Sequence, residues 1–126
     1  VNGVKIYNDN NATSPDATIA ALKTLGKDIV LIMGGADKDL SMDALIKEIS
    51  KHCKKVILLP GTGTERIQER IDGEIIKSLE EAVKAALNAA SDGDVLLFSP
   101  AFASFGLFRN EYDRNDQFLS IVKQLS

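Results

Sequence analysis

Three runs of unbroken apolar residues divide the chain: Asp28-Ile-Val-Leu-Ile-Met33, Lys55-Val-Ile-Leu-Leu59 and Asp94-Val-Leu-Leu-Phe98. Each is closed by turn-forming residues, Gly34-Gly35, Pro60-Gly61 and Ser99-Pro100. Short apolar runs without alternation, bounded by turns, are the pattern of strands buried on both faces of a parallel sheet. Val4 to Tyr7 and Glu74-Ile-Ile76 add two shorter strands.

Helical spacing fills the intervals. Ser14-Pro15-Asp16 opens the first helix with an N-cap hydroxyl, a proline suited to the first position and an acid at the positive end. Ile19, Leu22 and Leu25 carry its apolar stripe and Gly26 stops it. A second helix covers Met42 to His52, with Leu45, Ile46 and Ile49 on one face and Ser41 or Asp39 as its cap. Thr64 to Ile71 suggests a short helix. Ser78-Leu-Glu-Glu81 has capping-box spacing and opens a helix to about Ala90, whose apolar face holds Leu79, Ala82, Val83, Ala86, Leu87 and Ala90. Asp92-Gly93 ends it. A final helix, beginning at about Phe105 or after a loop near Asn115, carries Phe118, Ile121, Val122 and Leu125.

Strands alternating with helices predict an α/β domain. The expected architecture is a three-layer, Rossmann-like domain with a mainly parallel sheet, an antiparallel edge strand and helices on both faces. The first residues, Val1 to Tyr7, read as the second half of a hairpin turning at Asn2-Gly3. The other half would precede Val1, so the expectation is one domain, residues 1–126, cut from a longer protein.

Composition narrows the function classes. The 126 residues are 44% hydrophobic and 26% charged, a balance able to build a core. A net charge of −3 supplies no basic surface for nucleic acid. No apolar stretch approaches the roughly 20 residues of a membrane helix, so no membrane partner is expected. The one cysteine, Cys53, cannot form an internal disulfide, which fits a reducing cytoplasm. Cys53 reads as a core or half-buried thiol. His52, the sole histidine, reads as a residue at the end of a helix rather than a general base.

Candidate chemistry lies in the loops after the strands, where open α/β sheets bind ligands. Ser99 to Arg114 reads S-P-A-F-A-S-F-G-L-F-R-N-E-Y-D-R and offers Ser99, Ser104 and backbone N–H groups. Asn8-Asp-Asn-Asn-Ala-Thr-Ser14 and Gly34-Gly-Ala-Asp-Lys38 are two more polar loops in equivalent places, and the three suggest one shared site. The glycines before Lys38 would let backbone approach a ligand, with the ammonium free to hold a carboxylate or phosphate. Gly61-Thr-Gly-Thr64 lacks the Gly-Lys-Ser/Thr ending of a phosphate loop and reads as a turn and helix start. Asp113, Arg114 and Asp116 read as a charged helical face or ion-pair set with a structural role.

In order and spacing, the loops resemble the C-terminal domain of the Mur ligases, most of all the D-glutamate-adding branch. Those enzymes typically carry N-D-S-K-A-T-N-P, G-G-x-x-K and S-P-A-x-A-S-F-D-x-F-x-N, matched here by Asn8 to Pro15, Gly34 to Lys38 and Ser99 to Asn110. The resemblance implies an ATP-dependent amide ligase that joins D-glutamate to UDP-N-acetylmuramoyl-L-alanine through an acyl phosphate, in peptidoglycan synthesis. It implies that Lys38 and Ser104 hold the carboxylates of D-glutamate, that Thr13 assists and that Asp9 lies toward the nucleotide. It assigns no catalytic or metal-ligating residue to this chain. ATP and Mg2+ would be held mainly by other domains, and this chain alone would lack ligase activity. The alternatives are a domain of another Mur or folylpolyglutamate-type ligase, and a non-catalytic module that binds a nucleotide or an amino acid.

The chain departs from the family pattern at three points. Asn10-Asn11 stand where Ser-Lys is common, which leaves Asn11 as a weaker anion partner in the D-glutamate site. Gly106 replaces a usual Asp. Glu111 stands seven positions after Ser104, where an aromatic residue is frequent, and an acid there would repel a carboxylate and attract an amine. These changes make Glu111 a candidate specificity residue, with a basic D-amino acid such as D-lysine tolerated beside D-glutamate.

Overall fold

A computed structural model of the chain describes residues 3–104 and 107–125. Its strands are β1 (Lys5–Asn8), β2 (Ile29–Met33), β3 (Cys53–Leu58), β4 (Gly73–Ile75) and β5 (Val95–Phe98). Its helices are α1 (Pro15–Leu25), α2 (Asp43–His52), α3 (Thr62–Ile67), α4 (Leu79–Ala89) and α5 (Glu111–Leu125). The strands form one sheet in the order β1-β5-β2-β3-β4.

Side chains alternate between the faces of a strand, so each apolar run serves two cores. Ile29, Leu31 and Met33 of β2 pack with Leu22 of α1, Leu45 and Ile49 of α2 and Ile67 of α3. Val30 and Ile32 face the other way, toward Leu79, Ala82, Val83 and Ala86 of α4 and Phe118 of α5. This double demand explains why β2 is buried at every position and why the run lacks polar alternation. Phe98 of β5 stacks on Phe118, ring centroids 4.4 Å apart, and seats α5 on the sheet.

The α/β, three-layer expectation holds, with four differences of detail. Every pairing of named strands among the described residues is parallel, so the antiparallel edge strand is not found there. β1 pairs in parallel with β5 from Lys5↔Val95 to Asn8↔Phe98. Of the hairpin turn expected at Asn2-Gly3, Asn2 lies outside the described residues, and Gly3 has a φ of 79°. Ser14 and Ser78 cap α1 and α4 as anticipated, accepting from the N–H groups of Ala17 and Glu81. In contrast, α2 starts behind Met42 with no side-chain cap. Asp39 instead adopts a left-handed φ of 57° and donates its N–H to Asp37. The short helix ends earlier than its pattern suggested, at Ile67. The last helix starts at Glu111, between the two proposed positions, where the Asn110 side chain accepts the Asp113 N–H at 2.8 Å.

Glycines at the carboxyl edge serve close packing of backbone on backbone. A Cβ at Gly35 would strike the Ala103 carbonyl, and one at Gly63 would strike the Phe102 ring. Gly35 has φ of 150°, and its carbonyl accepts the Gly63 N–H at 2.9 Å. At Gly34 and Gly35 the backbone of neighbouring loops, at Leu59 and Ala103, approaches closely. At the other edge, Asp94 accepts from Lys54 Nζ at 2.5 Å and from the Ser91 N–H at 2.8 Å.

Gly35→Ala should lower stability by about 3 kcal/mol, since it adds a backbone collision to an unfavourable φ. Gly93→Ala, where φ is 90° but the space is open, should cost roughly half as much. Urea unfolding of the two variants checks the order, and equal midpoints would contradict it. The Asp94 carboxyl lies below its ordinary range, first through the Lys54 hydrogen bond and then through the Ser91 N–H. Its contribution is therefore present above the unfolded pKa of about 3.9 and disappears as pH falls through the lower folded value. Asp94→Asn should make the urea midpoint less sensitive to acidification below about pH 4; an unchanged slope would refute this.

Candidate functional site

The loops after β1, β5 and β2 meet at the carboxyl edge of the sheet. Main-chain bonds stitch them together. The Ala101 N–H donates to Ala12 at 2.8 Å, and the Gly34 N–H donates to Pro100 at 2.9 Å. Ala36 and Ala103 exchange a reciprocal pair at 2.9 and 3.2 Å. Ala101 takes a left-handed φ of 65° to make this crossing, a conformation that is costly for a residue with a Cβ.

A cleft of about 230 Å³ opens where these loops converge, lined by Thr13, Lys38, Ala103, Ser104 and Glu111. Four of the six residues singled out from sequence thus share one space. Lys38 Nζ donates to the Thr13 carbonyl at 3.2 Å, spanning two of the loops. Its neighbour Asp37 is ion-paired with Arg66 of α3, and the Asp37 N–H donates to Thr62 Oγ1 at 2.9 Å. The loop is pinned, and the Asp37 charge is engaged away from Lys38. Ser104 is nearly buried yet lines the cleft. The arrangement offers one cation, two hydroxyls and one carboxylate to a small polar ligand.

Asn11 is exposed and does not line this cleft, although Thr13 two residues later does. Asp9 belongs to a neighbouring cleft of about 350 Å³ with Tyr7, Asn8, Ala17, Ala20, Ala21 and Thr24. Ser99, expected at the sheet edge as a presented hydroxyl, is fully buried. It donates to Asp9 Oδ2 at 2.8 Å, which leaves Thr18 Oγ1, also at 2.8 Å, to donate to Ser99. This relay fixes one oxygen of Asp9. Gly106 and Phe105 lie outside the described residues.

Arg114 is the functional neighbour that the sequence reading missed. Placed on a charged helical face, it proves to be fully buried. Its Nε donates to Asn10 Oδ1 at 2.7 Å and its two terminal nitrogens to the Asn10 and Phe102 carbonyls at 2.8 and 3.1 Å. Asn10 Nδ2 then donates to the Glu111 carbonyl at 2.8 Å. One side chain of α5 thereby ties the first loop to the last, directly behind the cleft. Burial lowers its pKa to about 10, partly offset by Glu111, so it stays charged at neutral pH. A clue was available: α5 places Arg114 four residues before Phe118, on the face packed against the sheet.

His52 ends α2 far from these loops, bonding the Gly26 carbonyl through Nδ1 and Glu48 through Nε2 at 3.1 Å. Cys53 is half-buried, and burial pushes its thiol up to about 12. A cleft of about 320 Å³ beside it contains Lys54 and Arg70, but these cations are paired with Asp94 and Asp43. Gly61 caps α3 as a turn and helix start.

Residues 1–102 match the family model described as "Mur ligase, glutamate ligase domain". The chain belongs to the Mur ligase family. The match stops before Ser104 and Glu111, but whole-chain relatives extend across them. A protein of Roseiflexus sp. RS-1 named UDP-N-acetylmuramoylalanine--D-glutamate ligase is 43% identical over 100% of this chain and 29% of its own length. Proteins of the same name from Clostridium botulinum and Pseudomonas fluorescens are each 40% identical, over 99% and 100% of this chain and 30% of their own lengths. The chain therefore spans under a third of these Mur ligases. Its fold is shared with a solved domain from a Haemophilus ducreyi protein described as a putative UDP-N-acetylmuramate:L-alanyl-gamma-D-glutamyl-medo-diaminopimelate ligase. That domain has a TM-score of 0.63 at 16% identity and covers 99% of this chain and 90% of that one. None of the described helices is long and apolar enough to cross a membrane.

Arg114→Met, which keeps the volume but leaves the Asn10 and Phe102 acceptors without their donor, should destabilise the chain by about 3 kcal/mol. Backbone resonances of residues 10–13 and 101–104 should shift together in NMR spectra. A stable variant in which only one of these loops moves would disprove the tie.

Proposed function

We propose that this chain is the amino-acid-binding, C-terminal domain of a cytoplasmic ligase that adds D-glutamate to UDP-N-acetylmuramoyl-L-alanine, a step of peptidoglycan synthesis. The observation that carries the proposal is the convergence of Thr13, Lys38 and Ser104, from three separate loops, on one cleft. Lys38 brings the charge needed for a carboxylate, and Ser104 and Thr13 bring hydroxyls able to donate to it. The cleft is small, as befits an amino acid rather than a sugar nucleotide. The similarity of the whole chain to proteins named as D-glutamate ligases supports the choice of substrate.

In this reading ATP transfers a phosphoryl group to the carboxylate of the UDP-linked substrate, leaving ADP. The D-glutamate amine then attacks the acyl carbon and, after a tetrahedral intermediate, phosphate departs as the amide forms. The contribution of this chain is orientation: Lys38, Ser104 and Thr13 anchor the acceptor so that its amine reaches a carbon held elsewhere. The neighbouring cleft suits the uncharged part of a nucleotide. Asp9 keeps one oxygen to accept from a hydroxyl or amine, and no cation lines that cleft to hold the phosphates. Mg2+, when bound, neutralises phosphate charge. Among the described residues no three His, Cys, Asp or Glu side chains are grouped to hold a metal ion, and this reading assigns phosphate and metal binding to the remainder of the enzyme. Domain closure brings the two parts together.

Titration of the chain with D-glutamate should shift NMR resonances of Thr13, Lys38 and Ser104, and Lys38→Met should weaken binding at least tenfold, roughly the worth of a charged hydrogen bond. The same chain supplied with ATP, Mg2+ and the UDP precursor should form no amide product. Shifts confined to other surfaces, or binding indifferent to Lys38→Met, would overturn the reading.

A further inference from the structure

The cleft contains two opposite charges that do not neutralise each other. Lys38 and Glu111 both line it, yet neither forms an ion pair among the described residues. Two neighbouring charges spend their hydrogen bonds elsewhere, although the buried Arg114 charge still acts on Glu111. Asp37, beside Lys38, is paired with Arg66. Arg114, one helical turn beyond Glu111, spends its donors on Asn10 and the Phe102 carbonyl. The backbone at Glu111 is also held, because its carbonyl accepts from Asn10 Nδ2 at 2.8 Å and Asn10 is itself clamped by Arg114. A carboxylate and an ammonium, neither ion-paired among the described residues, thus line one space of about 230 Å³.

We propose that the cleft is a zwitterion slot in which Lys38 takes the carboxylate of the bound amino acid and Glu111 takes its ammonium, making Glu111 a specificity-determining residue. This rests on the amino-acid reading above and deepens it. A ligand with carboxylates but no ammonium meets attraction at Lys38 and repulsion at Glu111. An amino acid meets attraction at both. Discrimination therefore comes from one side chain that penalises the wrong charge as well as favouring the right one. Because Glu111 is exposed, solvent limits the effect to that of a surface ion pair, roughly fivefold in affinity.

Glutarate, which is glutamate without its amino group, separates the two charges. The chain and its Glu111→Gln variant are titrated with D-glutamate and with glutarate, following the Thr13, Lys38 and Ser104 resonances. Glu111→Gln should weaken D-glutamate roughly fivefold and leave glutarate unchanged or slightly tighter. Lys38→Met should weaken both ligands together. Equal loss of both ligands in Glu111→Gln, or unaltered D-glutamate binding, overturns the role of Glu111 while leaving the cleft an amino-acid site. Failure of D-glutamate to perturb the cleft in the unsubstituted chain overturns the amino-acid reading and this proposal with it. Glu111 is exposed and makes only main-chain hydrogen bonds, so Glu111→Gln should fold as the parent does.

Discussion

The site is organised around a buried guanidinium. No carboxylate hydrogen-bonds to Arg114 among the described residues; its donors go to two main-chain carbonyls and one amide oxygen. Burying a cation is costly unless its donors are satisfied, and only this arrangement of loops satisfies them. The cost of displacement fixes the loops. Asn10 and Phe102 lie far apart in sequence and come together because one planar group needs both. A lysine could carry the charge but not the fork of donors that reaches all three acceptors. The cleft between Thr13, Lys38, Ser104 and Glu111 is thus bounded by loops whose relative position is set from behind.

The second constraint is the two-sided sheet. β2, β5 and the Val56–Leu58 half of β3 must fill a core above and a core below, which leaves almost no polar freedom along those segments. Chemistry is displaced to the strand ends, where the backbone leaves the ladder and side chains such as Thr13 and Lys38 reach solvent. Glycines at Gly34, Gly35 and Gly63 let the departing loops cross without clashing. The same edge therefore carries the tightest backbone packing and the most exposed function.

How much could be read from the chain follows from these two constraints. β2, β5 and the end of β3 were legible because a doubly buried strand reads as an unbroken apolar run, and α1 and α4 because Ser14 and Ser78 cap them locally. Thr13, Lys38 and Ser104 could be grouped because each follows a strand and all strands point the same way. What stayed hidden depends on long-range partners. Arg114 reads as a surface charge until Asn10 is placed against it, 104 residues away. Ser99 reads as a presented hydroxyl until Thr18 and Asp9 enclose it. The start of α5 was ambiguous because the Asn110 cap lies in a polar stretch with several plausible caps. The antiparallel edge strand was inferred from residues at the beginning of the chain, whereas the pairing of β1 was decided by β5 near the other end.

That pairing bears on the order of assembly. Among the described residues, β1 has a single strand neighbour, and its register partner for Lys5 is Val95. During synthesis β1 would wait for its β5 partner while α1 to α4 emerge. β2 and β3 could pair early, but β5 belongs between β1 and β2, so the sheet cannot close until Val95–Phe98 appear. Contacts of such long sequence separation slow folding and prolong the exposure of apolar strand edges. The strand that completes the sheet also leads into the loop that completes the ligand cleft, which makes the binding site one of the last parts of the molecule to form.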